Sequence, residues 1–216
     1  MTEAVSEPVT DAVTESVPEP AGVGLRERHK RSTRRSLEDA ALRLFARDGF
    51  DATTIEAIAA EAEVSSRTFF RYFTAKDEVL DMGWAQRRVR LQEEAARATA
   101  DAGDLAAAAA ALVAMAHDLE PDHERIRLRA RAARSSPALR GRTADTMAAW
   151  EAALAEGLGV RRGLARPDPA AVVAAAAALA AWRTAIGWWL EGRGRDGSPG
   201  LAEHVEAAFA HLGVTR

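Results

Sequence analysis

A chain of 216 residues with 48% hydrophobic side chains can build one large core or two modest ones and is not disordered as a whole. It contains no cysteine, which excludes disulfide frameworks, thiolate metal sites and cysteine nucleophiles. The formal net charge of −3 hides an asymmetry: from Arg26 to Lys76 eleven basic side chains stand against eight acidic ones, so that stretch is locally +3 and the remainder −6. Arginine is abundant while lysine occurs only at Lys30 and Lys76, and alanine is everywhere, a codon signature of a GC-rich bacterial genome rather than of function.

Met1 to Gly24 carries Glu3, Glu7, Asp11, Glu15 and Glu19 without a basic residue or an aromatic, and with Pro8, Pro18 and Pro20. Such a segment buries too little surface to offset its ordering entropy and reads as a disordered acidic tail over 1–24. It lacks the basic region and apolar run of an export signal. The longest nearly uncharged stretch, Pro169 to Trp182, ends at Arg183, short of the roughly 20 residues that span a bilayer. No membrane partner and a cytoplasmic location are expected.

A first helix is predicted over Arg26–Asp48, with Leu37, Ala41, Leu44 and Phe45 at helical spacing and Gly49 as its stop. Its basic front, Arg26 to Arg35 and including Arg34, opposes the helix macrodipole, and DNA phosphate would compensate it. Thr53-x-x-Glu56 reads as a capping box for a second helix ending near Ala62. Ser65 then caps a third over Ser66–Phe73. On that short helix Phe69 and Phe73, spaced i, i+4, pack inward with Val64 and Ile58, leaving Ser66, Arg67, Phe70 and Arg71 outward. A polar, arginine-bearing face on so short a helix fits a DNA groove.

Thr74-x-x-Asp77 predicts a fourth helix through Leu80, Trp84 and Leu91 to about Thr99. Further helices follow over Asp104–Leu119, from Pro121 to about Arg134, from Pro137 to about Gly157, over Pro169–Leu190 and from Pro199 to His211, separated by glycine- and proline-bearing loops. No segment alternates with period two, so the fold class is all-α.

Leu44-Phe45-Ala46-x-x-Gly49-Phe50 and Val64-Ser65-x-x-Thr68-Phe69-Phe70-x-Tyr72-Phe73-x-x-Lys76 closely resemble the helix-turn-helix of TetR-family transcriptional regulators, over about Arg31 to Leu80. The resemblance implies a three-helix DNA-binding domain over 25–75 and a six-helix ligand-binding and dimerisation domain over 76–216. It further implies a third helix in the major groove, a homodimer made by two C-terminal helices, and a small molecule that resets the spacing of two reading heads on an inverted-repeat operator. Phosphate contacts fall on Thr54, Thr68, Tyr72 and Lys76, and base or backbone contacts on Ser66, Arg67, Phe70 and Arg71. The chemistry agrees: hydroxyls and a lysine bind phosphate and fix register, whereas an exposed arginine pairs with guanine and a ring presses on a thymine methyl. Two positions depart from the pattern. Phe70 stands where tyrosine is usual, and Glu63 holds a turn position commonly taken by glycine, at a cost of about 1 kcal/mol if its φ is positive.

In the larger domain Trp182, Ile186 and Trp189 on the eighth helix, with Leu201, Val205, Phe209 and Leu212 on the ninth, are expected to form the two-fold interface. Trp84, Leu91, Met115, Met147, Trp150 and Trp182 are the expected walls of an effector pocket for a hydrophobic or acyl-type ligand. Of the arginines at 125, 127, 129, 131 and 134 most are expected in solvent, with one or two available to an anionic ligand such as a carboxylate or an acyl thioester of coenzyme A. The metal-ligand types crowded in His117–Glu124 have no established ligand spacing and read as a polar loop. No catalytic triad or phosphate loop appears, so neither enzyme nor cofactor is implied. The reading is a ligand-responsive, homodimeric repressor, against the alternatives of a DNA-binding protein without small-molecule control or a helical enzyme.

Overall fold

In the computed structural model residues 21–99, 101–192 and 198–214 are described, and among them the secondary structure is helical without a strand. The helices are α1 (Ala21–Asp48), α2 (Ile55–Glu61), α3 (Ser66–Tyr72), α4 (Trp84–Arg97), α5 (Asp104–Leu119), α6 (His123–Ser135), α7 (Pro137–Arg161), α8 (Pro169–Glu191) and α9 (Leu201–Ala210). The all-α expectation is met. Most of the acidic tail expected over 1–24 lies outside the described residues, but Ala21–Gly24 already belong to α1.

The chain divides into a unit ending at Arg35 and a second running from Ser36 to Arg216. In the first, Thr33 Oγ1 donates to the His29 carbonyl and Arg28 Nε to the Gly24 carbonyl, as helical side chains do along their own backbone. Because α1 starts at Ala21, the basic run does not occupy its first turn. The macrodipole acts mainly within the terminal turn, so the anion argued from it loses its force.

Within the second unit several element boundaries shift. The cap of α2 is Thr54, whose Oγ1 accepts from the Ala57 amide at 3.1 Å; Thr53 is buried and donates to the Gly49 carbonyl at 2.7 Å, so the box with Glu56 does not form. Thr74 is held by Glu78 rather than Asp77, its amide and hydroxyl both donating to that carboxylate at 2.6 Å. The chain there makes a 3-10 turn over Lys76–Leu80 and α4 begins only after Gly83, in the left-handed region at φ +74°. Pro121 likewise sits in a 3-10 turn, Glu120–Asp122, ahead of α6, and α7 continues past Gly157 to Arg161.

Two hydrophobic clusters organise this unit. One joins Leu37, Leu42, Phe45, Ile58, Phe69, Phe73 and Val79 to Ala132 of α6 and Leu139 of α7. The other spans α4, α5 and α7–α9, with Leu112, Trp150, Leu158, Leu179, Trp182 and Phe209 at its centre. Gly157 lets α7 approach α4: a Cβ there would stand 2.4 Å from the Gln92 carbonyl oxygen. The 23-residue α8 is long and apolar enough to cross a membrane by composition alone, yet Ala171, Ala175, Ala178, Leu179, Trp182 and Trp189 bury it within this core. Leu201, Val205 and Phe209 are also buried within the protomer, which corrects the expectation that they face a partner. The exposed stripe of α8 is instead Val173, Ala180, Thr184 and Trp188, the last 38% exposed.

Between α2 and α3, Glu63 has φ +56°, the one non-glycine residue at positive φ among the described residues. Replacing it with glycine relieves the Cβ clash with the following carbonyl, partly offset by added chain entropy. Glu63→Gly is expected to stabilise by about 0.5–1 kcal/mol and raise the melting temperature by roughly 1–4 °C. A lowered melting temperature would show that the side chain contributes more than its strain.

Candidate nucleic-acid interface and apolar cavity

Helix α3 is positioned from below and capped from the front. Phe69 and Phe73 are buried, 5.4 Å apart between ring centroids, over Ile58 and Val64. Ser65 Oγ accepts from the Thr68 amide at 3.1 Å and also bonds Thr68 Oγ1 at 3.0 Å, which fixes the first turn. Opposite the buried rings, Arg67 and Arg71 are exposed and Phe70 is 54% exposed, its ring edge-on to Phe69 at 5.6 Å. Arg71 donates to the Tyr72 hydroxyl at 3.2 Å with its guanidinium 5.0 Å from that ring, so the two side chains lie together. Ser66 and Thr68 are half-buried and Thr54 is exposed. Ser66, Arg67, Thr68, Phe70, Arg71 and Tyr72 all belong to α3 and Thr54 caps α2, while Arg34 lies half-buried in the first unit.

Lys76, expected from the sequence as a phosphate contact, also has acceptors within the chain. Its ammonium donates to the Phe50 carbonyl at 2.6 Å and the Thr53 carbonyl at 2.8 Å, 4.3 Å from the Phe50 ring centroid. The lysine thus ties the turn after α3 to the α1–α2 connection, leaving one proton for an outside acceptor.

A cavity of about 310 Å³ opens among α4, α6, α7 and α8. Trp84, Met147, Trp150 and Trp182 line it as expected from the sequence. Leu91 and Met115 are buried in the same core but are not on its wall. Sequence reasoning missed Ile126 and Ile186, and left Arg129 as one of five arginines of which one or two could meet an anionic ligand. For α6 the signal was present: Ile126, Arg129, Ala130 and Ala133 fall at i, i+3, i+4 and i+7, one helical face. Burial pushes the Arg129 guanidinium down to about 10, an effect only partly offset by Asp81. It remains cationic near neutrality. A larger groove, about 820 Å³, between α5 and α9 has alanine for half of its lining residues and no tryptophan among them.

The other arginines of α6 separate by their partners. Arg125 reaches Glu38, Asp39 and Asp122 with only 13% of its side chain exposed, and Arg127 pairs with Glu124. Arg131 and Arg134 are exposed and Arg127 is partly so, which leaves most of the five solvated as expected, with Arg125 and Arg129 the two that are withdrawn. In the acidic segment before α6, Asp118 pairs with Arg90, Asp122 with Arg87, and Glu120 accepts from the Ala202 amide at the start of α9. No cluster of three or more metal-ligating side chains occurs among the described residues.

Residues 37–81 match the family "Bacterial regulatory proteins, tetR family", and residues 102–214, just over half of the chain, match "MftR C-terminal domain". The chain belongs to the TetR family of bacterial transcriptional regulators. A curated relative, the HTH-type transcriptional regulator TcmR of Streptomyces glaucescens, is 52% identical over 60 residues, which cover 28% of this chain and 26% of that protein. Among solved structures, the TetR-family regulator PfmR of Thermus thermophilus aligns at TM-score 0.51 and 24% identity, covering 82% of this chain and 96% of its own. A protein of Mesorhizobium loti assigned to the same family aligns at TM-score 0.55 and 19% identity, covering 84% and 95%. At these identities the structural likeness is one of fold. Membership makes this TetR-family chain a DNA-binding transcription factor and not an enzyme.

Arg71→Ala is expected to weaken operator binding and reduce the slope of log affinity against log salt by about one, without changing the melting temperature. An unchanged slope would remove Arg71 from the DNA-contacting surface. Lys76→Met retains the stem but loses two charged hydrogen bonds, and is expected to destabilise the fold by about 1.5–3 kcal/mol. Equal melting of Lys76→Met and the parent would show that the lysine clamp is idle.

Proposed function

We propose that this TetR-family regulator is a homodimeric cytoplasmic repressor that reads an inverted-repeat operator through paired α3 helices and leaves it when a small hydrophobic or acyl-type ligand enters the cavity. In this reading residues 25–75 are the reading domain and residues 76–216 the regulatory and dimerisation domain. Ser66, Arg67, Phe70 and Arg71 face the groove, and Thr54, Thr68 and Tyr72 face phosphate, with Arg34 as a further backbone contact and Lys76 fixing the turn and offering its remaining proton.

One observation carries the ligand-responsive part of this reading: α6 touches both ends of the path. Ile126 and Arg129 stand on the cavity wall, Ala132 lies in the cluster beneath α3, and Arg125 meets the α1 carboxylates Glu38 and Asp39. A ligand that favours one placement of α6 biases the placement of the reading helix, a population shift set by the difference in its affinity for the two states. Couplings of this kind are typically about 1–3 kcal/mol.

The exposed stripe of α8, Val173, Ala180, Thr184 and Trp188, supports the dimer: its spacing is helical, it carries no charge, and its residues are small except for the tryptophan. Two heads about 34 Å apart would engage half-sites one turn of DNA apart. Ala180→Glu places a charge in the middle of this stripe without touching the protomer's own core. It is expected to sediment as a monomer with native helix content and to lose at least about a hundredfold in operator affinity, as the second half-site no longer adds to the first. A dimer that still holds the operator would place the interface elsewhere.

A further inference from the structure

Three arginines largely withdrawn from solvent meet carboxylates, and Arg129 on the cavity wall does not. Arg87 bonds Asp122 at 2.9 Å, Arg125 meets Glu38, Asp39 and Asp122, and Arg161 bonds Asp104. Arg129 has neither an ion pair nor a hydrogen bond. Its guanidinium carbon stands 5.1 Å from the Trp84 ring centroid, on the wall of the apolar cavity, and Asp81 acts on it only at a distance. The attraction of a cation to a tryptophan ring is weaker than the cost of desolvating a buried charge. A second polar group of the same wall is also left over: the Trp150 indole N–H is buried without an acceptor. A buried donor in a folded protein is nearly always satisfied, so the Trp150 N–H, on the same wall as a half-buried cation without a carboxylate, points to a partner that the chain does not supply.

Building on the effector reading above, we infer that the cavity takes a compact monocarboxylate, its carboxylate on the Arg129 guanidinium and its hydrocarbon or aryl body among Trp84, Met147, Trp150, Trp182 and Ile186. The charge of the ligand follows from the unpaired cation, for which a planar carboxylate offers a bidentate partner. Its size follows from the volume: about 310 Å³ is near the lower limit of small-molecule sites and leaves no room inside for the nucleotide end of a coenzyme A thioester. A thioester would moreover bring an uncharged carbonyl to Arg129 and leave the cation unneutralised. The free acid is therefore preferred over the acyl thioester admitted by the sequence. Arg183, exposed at the rim, adds a second positive charge that draws an anion toward the opening.

Titration of the full-length protein with decanoate and 1-naphthylacetate, each beside its primary amide, tests this through quenching of the wall tryptophans and through calorimetry. Each acid is expected to bind at least about tenfold more tightly than its amide. Arg129→Met should abolish that preference by weakening the acid while leaving the amide unchanged, with operator binding and melting temperature retained as controls of the fold. Equal binding of acid and amide to the parent, undiminished acid binding by Arg129→Met, or failure of both acids to bind would overturn the assignment. Operator release in the same titrations separates the two readings. Release by decanoyl-CoA with no acid binding keeps the effector reading and sinks the carboxylate; acid binding that depends on Arg129 without any release keeps the site and sinks its coupling to DNA.

Discussion

The placement of the reading helix depends on one buried group of charges. Arg125 of α6 meets Glu38 and Asp39 of α1 and Asp122 at the entry to α6, and Arg87 of α4 closes the group by bonding Asp122. Burial by itself would lower the Arg125 pKa, but the hydrogen bond to Glu38 and the three surrounding carboxylates hold it above its ordinary value. A network of this kind adds little net stability over an apolar contact of the same volume. Removing one member, however, strands the others at a cost of about 3–5 kcal/mol. Its effect is geometric: α6 and the base of the helix-turn-helix move together or the charges separate.

That constraint gives the otherwise uneven α6 sequence a physical sense. Arg125 and Arg129 lie one turn apart, so one helix edge presents a guanidinium to the α1 carboxylates and another to the cavity. Ala132, a further turn along, is fully buried with the rings of α3. Small rigid-body changes of such a helix are transmitted because packed interiors resist continuous deformation. The close contact of α4 and α7 at Gly157, and Arg161 bonding the Thr99 carbonyl at 3.0 Å, fix the opposite wall of the cavity.

What was legible in the sequence was local. The spacing of Phe69 and Phe73, the Ser65 cap and the exposed arginines are properties of a few consecutive turns, and the structure shows each of them. Lys76 was not legible, because its acceptors are carbonyls 23 and 26 residues away and any backbone supplies a carbonyl. Nor could composition separate the α6 arginines: five of them, most at alternating positions, look solvated until α1 and the cavity take one each. The ninth helix failed for a related reason. An apolar face is equally suited to a partner or to the protomer itself, and Leu201, Val205 and Phe209 turn out to fill their own core. Four of the six expected cavity residues line it, since large aromatics at helical spacing mark a core layer but do not say which side of the layer stays open.

The central claim is that two copies of the α3 surface read one symmetric DNA site. Selection of bound duplexes from a random pool by the full-length protein addresses it most directly, because sequence, symmetry and spacing emerge together. The account predicts an enriched inverted repeat whose half-site centres lie about one or two helical turns apart, with guanine contacts that disappear when Arg67 is replaced. Enrichment of a single unrepeated element, or of no sequence at all, would contradict it.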